Sequence, residues 1–321
     1  MSSPFTINSS FPVLIACSGG IDSMALLYMM EETCRKEKIR LGACYVDHKL
    51  RQSAKSESQF VRKICQKLGV EFYHLEFVDN FWDEGKANFE EKARKERYRL
   101  LFECAKKHNF GQIATAHHLD DQVETLLMRI FERGTGIKGL RGIGKEATFP
   151  YPNNDLTTIK IIRPLLHLTK KEIEKFMMGK EFVVDETNSD TSIRRNFYRA
   201  AVVPAIENAL KNDKFKDHIA KLSDNAERET EFAETMAKEF WENFKTGENS
   251  FEIPRETIEN RSDNFWITAF SYLFSYHRNF SHSTDTLIDV VKFIRKKEKS
   301  SANYHPFVFE RKQNFVKVSG E

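Results

Sequence analysis

Two hydrophobic patterns alternate over the first two hundred residues: continuous apolar runs, and segments in which apolar residues recur every three or four positions. The first pattern predicts buried strands and the second predicts amphipathic helices. The predicted strands are 12–17, 41–46, 71–77, 112–116 and 159–163, and the predicted helices are 22–37, 53–67, 86–108, 120–133 and 169–179. This order predicts a doubly wound parallel α/β sheet with helices on both faces.

The pattern changes after residue 210. Apolar residues then recur at helical spacing in densely charged surroundings, which predicts one long amphipathic helix. Its apolar positions are Phe215, Ile219, Leu222, Ala226, Ala233, Met236 and Phe240. This helix either packs along its own domain or pairs with another helix in a coiled coil. With further helices at 265–274 and 286–294, we expect an α/β domain over residues 1–210 and a small, mainly helical domain over residues 211–321.

Composition narrows the class of protein. The chain is 40% hydrophobic and 30% charged, with a net charge of +3, which is typical of a globular protein and excludes a disordered one. No apolar run approaches the ~18 residues needed to span a bilayer, and the N-terminus has no basic and apolar leader. We therefore expect a cytoplasmic location and no membrane partner. The five cysteines form no Cys-x-x-Cys pair, so we expect reduced, buried thiols rather than a metal site.

A glycine-containing turn joins the first predicted strand to the first predicted helix. Glycines let the backbone approach a ligand, and the helix that follows directs amides and a positive dipole toward it. The turn predicts a site for an anion such as diphosphate, and the alternative is a tight turn before a capped helix. Asp22 beside an anion suggests Mg²⁺ or a cationic group. The residues of the turn are Ser18, Gly19, Gly20, Ile21, Asp22 and Ser23.

Two other nucleotide-binding signatures are not supported. The chain contains no Walker-type phosphate loop. Residues 134–139 match Gly-x-Gly-x-x-Gly, but they follow a predicted helix rather than a strand. The structural context of a dinucleotide fingerprint is therefore missing.

Histidines and carboxylates follow the fourth predicted strand. His117 and His118 come first, and Asp121 and Glu124 lie three positions apart on the helix that follows. Because ligands of open α/β sheets bind at the carboxyl edge, this cluster is a candidate active-site segment. A zinc site is the alternative, although adjacent histidines lack the spacing that places two ligands on one helical face.

Arginines form two further candidate sets. Arg94 and Arg97 share a helical face and suit bidentate phosphate binding, although surface ion pairs with Glu90 and Glu91 would explain them equally. Arg195 and Arg199 follow the segments 163–166 and 185–188. Considered alone, the set that contains Arg195 and Arg199 predicts a polar turn before a basic helix.

The ordered motifs resemble those of a known enzyme family. Ser-Gly-Gly-x-Asp-Ser resembles the loop of the N-type ATP pyrophosphatases. The full order resembles tRNA(Ile)-lysidine synthetase over about residues 11–210, in its shorter form. That order adds Ala-Arg-x-x-Arg-Tyr, His-His-x-Asp-Asp-Gln-x-Glu-Thr, Arg-Gly-x-Gly-x-x-Gly-Leu, Arg-Pro-Leu-Leu, Asp-Glu-x-Asn and Arg-Asn-x-x-Arg. Thiolating relatives would need paired cysteines, and GMP or asparagine synthetases would need a glutaminase module, and we find neither in the sequence.

The resemblance implies a reaction and roles for these residues. It implies ATP and Mg²⁺ as cofactors, and free L-lysine and a tRNA(Ile) with a CAU anticodon as substrates. The wobble cytidine is adenylated and then attacked by lysine, and lysidine changes decoding from AUG to AUA. It implies diphosphate at residues 18–23, Mg²⁺ at Asp22, either Mg²⁺ or the lysine ammonium at Asp121, and phosphate contacts from Arg94 and Arg199. His117, His118, Glu124, Arg97 and Arg195 complete the expected site.

Alternatives to this function remain at the level of sequence. One is a non-catalytic RNA-binding protein on the same scaffold, which would be expected to lose the loop or the Asp120–Asp121 pair, and both are present. Another is an adenylating ligase for a small molecule, without RNA. The helical domain is expected to contact tRNA, and a homodimer is compatible with the sequence but not indicated by it.

Overall fold

A computed structural model describes residues 11–50, 53–79, 81–84, 89–148, 159–184, 194–278 and 282–320. The chain separates into two compact units, Met1–Asp224 and Asn225–Glu321. The division falls inside the long helix, whereas the sequence suggested a junction near residue 210. None of the described helices combines the length and the apolar character needed to cross a membrane.

The N-terminal unit contains a six-stranded sheet with the order β3-β2-β1-β4-β6-β5. Its strands are β1 (Val13–Ala16), β2 (Leu41–Asp47), β3 (Glu71–Glu76), β4 (Gln112–Ala114), β5 (Glu146–Thr148) and β6 (Lys160–Ile162). All neighbours are parallel except β5, which runs antiparallel to β6. The predicted doubly wound sheet is confirmed. Because the strand order reverses direction at β1, a crevice opens between β1 and β4 at their carboxyl ends.

Helices cover this sheet and extend beyond it. They are α1 (Ile21–Glu37), α2 (Ala54–Leu68), α3 (Phe89–Lys107), α4 (Leu119–Arg133), α5 (Ile137–Leu140), α6 (Lys170–Met177), α7 (Arg194–Phe197), α8 (Val203–Leu210) and α9 (Phe215–Asn243). A capping box starts α6: the Glu172 amide donates to the Thr169 hydroxyl, and the Thr169 amide donates to the Glu172 carboxylate.

The central strand β1 is buried on both faces. Ile15 packs in a core that includes α1, α2 and α6, whereas Leu14 packs against α3 on the opposite face. This alternation follows from the two-residue period of a strand. Burying each such side chain contributes about 1.5–3 kcal/mol, so the strand ends that carry the candidate site rest on a fixed base.

A smaller core positions the arginines that follow residue 193. Val123 and Leu127 of α4 pack with Tyr198, Val203 and Phe215. Residues Tyr198–Val202 form one π-helical turn, an irregularity that is frequent at functional sites. This packing fixes the segment that contains Arg195 and Arg199 against α4.

The C-terminal unit differs from the expected small, mainly helical domain. It contains α10 (Arg255–Glu259) and the two expected helices, α11 (Asp263–Arg278) and α12 (Thr284–Arg295). It also contains an antiparallel sheet with the order β7-β8-β11-β10-β9. Its strands are β7 (Lys245–Gly247), β8 (Ser250–Pro254), β9 (Ser300–Tyr304), β10 (Phe307–Arg311) and β11 (Phe315–Gly320). Its core is aromatic, with Trp266, Phe270 and Phe309 fully buried.

The predicted extent of the long helix α9 is confirmed, but the predicted line of apolar positions along it is only partly buried. Phe215 and Phe240 are buried as expected. Leu222 and Met236 are 38% and 47% exposed, and Thr230 is buried instead. The assumption of one regular seam was therefore wrong, because the two ends of α9 pack into different cores.

Candidate active site

A cleft of about 540 Å³ opens at the carboxyl ends of β1, β2 and β4. The sequence predicted a site at the carboxyl edge of the sheet, and the strand order places this cleft at the switch point of that edge. Of the sequence-predicted residues, Gly19, Ile21, His118 and Glu124 do not line it directly. Those that do are Ser18, Gly20, Asp22, Ser23, Arg94, Arg97, His117, Asp121, Arg195 and Arg199.

The turn after β1 needs a glycine at position 19. Gly19 has φ +87°, in the left-handed region that favours glycine. A Cβ there would lie 3.3 Å from methyl groups of both Val61 and Val183. The Gly19 carbonyl accepts a hydrogen bond from the Val183 amide at 2.9 Å, which anchors the turn to the segment after α6.

The start of α1 presents its first amides beside this turn. Gly20 is the N-cap, and the first helical bond runs from the Met24 amide to the Gly20 carbonyl. The amides of residues 21–23 therefore have no partner within the helix. Ser23 donates its hydroxyl proton to the Gly20 carbonyl at 2.9 Å. This geometry suits an anion at the N-terminus of α1.

Asp22 is held by a lysine that the sequence analysis did not identify. Lys170, the first residue of α6, places its Nζ atom 2.5 Å from Asp22 Oδ1. The Lys170 amide also donates to Asp120 Oδ2 at 2.7 Å. Because Asp22 and Lys170 lie 148 positions apart in sequence, no local spacing signals the pair.

A buried lysine extends these contacts to α9. Lys216, whose side chain is 5% exposed, places Nζ 2.5 Å from Asp120 Oδ1 and 2.8 Å from Glu207 Oε1. Burial lowers the pKa of Lys216, but hydrogen bonds to the two carboxylates outweigh it, so the net shift is upward. The ammonium is therefore kept charged.

Asp121 and Glu124 meet Arg195 and Arg199 in one ion-pair network, which we call the paired network. Glu124 accepts from Arg195 Nε and Arg199 Nε, each at 2.7 Å. Asp121 Oδ1 lies 2.9 Å from Arg195 Nη2 and 3.3 Å from Arg199 Nη2. Burial raises the pKa of Asp121, but the His118 ring, Arg195 and the His118 amide outweigh it and lower the pKa overall.

The two histidines occupy different environments. His118 is buried, and its Nε2 lies 3.6 Å from Asp121 Oδ2 and 3.9 Å from Asp22 Oδ1. His117 Nδ1 lies 2.9 Å from the Thr115 hydroxyl. Burial, together with the nearby positive charges of Arg163, Arg195 and Arg94, lowers the pKa of His117 to about 3, although Asp121 opposes the shift. At neutral pH the His117 ring is uncharged.

Arg94 and Arg97 lie over the Tyr98 ring, with Cζ–centroid distances of 5.1 and 5.8 Å. The alternative of surface ion pairing is not supported for Arg97, because no carboxylate among the described residues lies within ion-pair distance of it. The side chain of Glu90 is outside the described set. Glu91 lies 3.9 Å from Lys95.

Asp22 is better suited than Asp121 to be a ligand of Mg²⁺. Mg²⁺ in phosphate-binding sites is held by one or two carboxylates together with phosphate oxygens. Asp22 lines the cleft at the turn, and its Oδ1 faces a lysine, which phosphate oxygens can also engage. Both oxygens of Asp121 are engaged, Oδ1 by arginines and Oδ2 by the His118 amide. Among the described residues, the one group of three possible ligands is Asp47, His74 and Glu76, where Lys49 pairs with Glu76 at 3.1 Å.

Other candidates from the sequence lie elsewhere. Residues 134–136 connect α4 to α5 and residues 137–139 lie in α5, so no strand precedes this segment, which supports the rejection of a dinucleotide fingerprint. Asn88, a further polar candidate on the predicted helix 86–108, and the motif at 185–188 fall outside the described residues. A run of basic residues lies in and after α12, and we call it the basic cluster: Lys292, Arg295, Lys296, Lys297 and Lys299. Of these, Arg295 binds Asp263 at 2.7 Å, and Lys292 and Lys297 lie 3.5 Å from Asp289 and Glu259, respectively.

The parallel sheet, the glycine turn and the cleft at the switch point define a doubly wound α/β protein with an anion-binding turn. The family model of the PP-loop domain matches residues 4–206, and the chain belongs to this family. A solved structure, the U34-tRNA thiolase NcsA from Methanococcus maripaludis, shares this fold. Its TM-score is 0.53 at 18% identity, covering 67% of this chain and 72% of that one.

Curated relatives extend this similarity. A tRNA(Ile)-lysidine synthase from Enterococcus faecalis is 33% identical over 264 residues, covering 80% of this chain and 54% of the relative. The enzyme of the same name from Thermosipho africanus is 39% identical, and the match covers 66% of this chain and 47% of the relative. The one from Chlorobaculum tepidum is 37% identical, and the match covers 68% of this chain and 64% of the relative. The chain thus spans about half the length of the first two relatives.

Proposed function

We propose that this protein is a tRNA(Ile)-lysidine synthetase, a ligase that joins free L-lysine to the wobble cytidine of a CAU anticodon. The carrying observation is that four of the motif segments line one cleft, in a PP-loop chain whose curated relatives are named tRNA(Ile)-lysidine synthase. They are the segments at residues 18–23, 94–98, 117–125 and 195–199. ATP is the proposed energy source.

The first step activates the base. The base carbonyl oxygen attacks the α-phosphorus of ATP, an O–P bond forms, and the bond to diphosphate breaks. The amides at the start of α1 and Lys170 receive the departing diphosphate, since they lie together at the turn. Asp22 would hold Mg²⁺, which when bound supplies neutralisation of phosphate charge.

The second step consumes lysine. Its ε-amine attacks the activated carbon of the base, a C–N bond forms, and AMP leaves with the oxygen. The ε-ammonium must first lose a proton, and a neighbouring carboxylate is our candidate acceptor. A pKa of about 3 makes His117 a poor base at neutral pH, and His118 does not line the cleft.

The paired network would orient the lysine substrate. Asp121 is our candidate for attracting the ammonium, with Arg195 and Arg199 holding its carboxylate in place. We also propose that the C-terminal unit contacts tRNA. Since three members of its basic cluster already face carboxylates, Lys296 and Lys299 are the better candidates there for phosphate contact.

The test is incubation with total tRNA, ATP and radiolabelled lysine, followed by nucleoside analysis. We expect labelled lysidine and release of AMP and diphosphate only when RNA is present. Diphosphate release that is complete without RNA would indicate a small-molecule ligase, and RNA binding without ATP turnover would indicate a non-catalytic protein. Either result contradicts the proposal.

A pair of variants tests the site. Asp121→Asn should abolish lysine incorporation while retaining the fold, because the carboxylate that attracts the ammonium is gone. Asp79→Asn, an exposed position that pairs with Lys49, is the control and should be active. Full activity of Asp121→Asn would remove Asp121 from the site.

A further inference from the structure

Three metal-ligating side chains, which no step of the proposed reaction uses, lie together at the carboxyl ends of β2 and β3. The two strands are parallel, and Asp47 pairs in register with Glu76. His74 precedes Glu76 by two residues, so both side chains leave the sheet on the same face. Asp47 follows Tyr45 by two residues, and the Tyr45 ring meets the His74 ring edge-on at a centroid distance of 5.7 Å, so Asp47 shares this face. The register therefore brings one imidazole and two carboxylates together.

The three ligand atoms form one compact group. One oxygen each of Asp47 and Glu76 and one ring nitrogen of His74 all lie within 4.8 Å of one another. A tetrahedral metal ion holds nitrogen and oxygen ligands at about 2.0–2.2 Å, which places them about 3.4 Å apart. Glu76 is exposed, so rotation of its side chain can close the remaining gap without repacking the core.

The His74 ring is oriented by α2. Its Nδ1 atom lies 3.2 Å from the hydroxyl of Ser58, a buried residue of α2. Its Nε2 atom is buried, has no hydrogen-bond partner and lies 3.7 Å from Glu76 Oε1. A histidine that binds a metal through one nitrogen almost always holds the other in a hydrogen bond, which fixes the ring and its tautomer. The unpartnered Nε2 atom therefore points to a ligand independently of the two carboxylates.

The charges around this group favour a cation. Lys49 Nζ lies 3.1 Å from Glu76 Oε2 and also pairs with Asp79. The Lys49 amide donates to Asp47 Oδ1 at 2.7 Å, and no donor among the described residues reaches Asp47 Oδ2. Lys49 can therefore stay with Asp79 while a metal ion takes its place beside Glu76.

We propose that Asp47, His74 and Glu76, which we call the β2–β3 triad, bind a divalent transition-metal ion of the Zn²⁺ type. Imidazole nitrogen combined with carboxylate oxygen suits such ions, whereas Mg²⁺ prefers oxygen ligands and keeps several of its waters. Three protein ligands leave one coordination position open. The triad and Arg62 of α2 line a cavity of about 610 Å³, which gives water or a small anion access to that position.

The site differs from the Mg²⁺ position proposed at Asp22 in its ligands and in its preferred ion. Asp47 also lines the cleft. The bound ion therefore fixes one carboxylate of the cleft and joins the ends of β2 and β3. The inference does not depend on the proposed function.

The experiment measures Zn²⁺ binding to the wild-type full chain by competition with a chromophoric chelator, in excess Mg²⁺ and without ATP or RNA. We expect one tight equivalent of Zn²⁺ that Mg²⁺ does not displace. Co²⁺ then serves as the spectroscopic probe, and its absorption should show nitrogen and oxygen ligands without thiolate. This separates the triad from the buried cysteines.

Three variants test the ligand set. His74→Gln removes the imidazole and should abolish the tight equivalent. Ser58→Ala keeps all three ligands but releases the ring, and should weaken binding by about ten- to a hundredfold. Lys49→Met removes the competing cation and should strengthen binding. Should His74→Gln fail to fold, Glu76→Gln tests the same site at an exposed position.

His218→Gln is the matched control, because His218 is an exposed histidine outside the triad. It should bind Zn²⁺ as the wild type does, and so should Asp22→Asn, which removes the carboxylate proposed for Mg²⁺. Equal Zn²⁺ binding by the wild type and His74→Gln would identify an adventitious ion only and overturn the proposal. Absence of a tight equivalent in the wild type, or its loss in Asp22→Asn, would do the same. Since neither ATP nor RNA is present, these results are independent of whether lysidine is formed.

Discussion

On the α4 side of the cleft, Asp121 and Glu124 each face both Arg195 and Arg199. Three other arginines, Arg94, Arg97 and Arg163, surround Tyr98, and we call them the arginine cluster. No carboxylate among the described residues lies within ion-pair distance of this cluster. Both groups contain two or three arginines within one compact unit. The paired network satisfies its charges internally. The arginine cluster concentrates positive charge around a tyrosine ring.

This difference predicts opposite responses to mutation. Removing one partner of a paired, buried charge leaves the other uncompensated, which destabilises the fold. Removing a charge from a group of like charges relieves repulsion and desolvation, which stabilises the fold. Stability measurements therefore distinguish charges that stabilise the structure from charges that destabilise it.

The largest loss is expected at Lys216, where pairing is most buried. Lys216→Met leaves Asp120 and Glu207 without their cation, and should lower the free energy of unfolding by about 3–5 kcal/mol. Urea unfolding at neutral pH measures it. Lys171→Met is the control, since its pair with Asp213 is exposed and worth at most about 1 kcal/mol. Equal losses in both variants would show that burial does not strengthen the pairing here.

The second-largest loss of unfolding free energy is expected from mutation of the paired network. Glu124 is 1% exposed and joins two arginines that keep partial contact with water. Glu124→Gln should therefore lower the unfolding free energy by about 3 kcal/mol, the lower end for a buried pair. Glu91→Gln, whose lysine lies 3.9 Å away at the surface, should change it by less than about 1 kcal/mol. A loss of less than about 1 kcal/mol for Glu124→Gln would show that the paired network contributes no more to stability than an exposed ion pair does.

Much of the N-terminal fold was predictable because its strands are continuous apolar runs. The run at residues 12–17 leaves no alternative to a buried strand, and the doubly wound order follows from the helices between runs. β5 was missed because it is short and partly exposed. In the C-terminal unit the signal was present but weaker: Phe307 and Phe309 alternate with Val308 and Glu310, as on a half-buried strand.

The site was predictable only where motif residues are close in sequence. The turn at 18–23 and the segment from His117 to Glu124 were identified and meet in the cleft or beside it. Lys170 and Lys216 were missed, because each pairs with a carboxylate far away in sequence. Pairing of this kind is decided by tertiary packing and leaves no local pattern.

The pH dependence of stability should separate His117 from an exposed histidine. Its pKa is about 3 in the folded protein, against an ordinary value of 6.5. As pH falls from 6.5 toward 3, the unfolded chain takes up a proton that the folded chain does not, so the stabilisation present above pH 6.5 is progressively lost. The slope contributed is at most about 1.4 kcal/mol per pH unit. His117→Gln should flatten the profile in this window, and the exposed His218→Gln should not. A parallel profile for His117→Gln would contradict the assignment.

The smallest effect is the most discriminating, because its sign is reversed. Arg97→Met removes a guanidinium whose charged form is disfavoured by burial and by Arg94, and retains an apolar stem over Tyr98. The ligand-free protein should become more stable by about 1 kcal/mol, measured by urea unfolding. Arg99, two positions along the same helix, binds Glu96 at 2.6 Å and Glu103 at 2.5 Å, so Arg99→Met should instead lose up to about 1 kcal/mol. If Arg97→Met destabilises the protein as Arg99→Met does, the guanidinium of Arg97 stabilises the fold. The contrast between the paired network and the arginine cluster is then wrong.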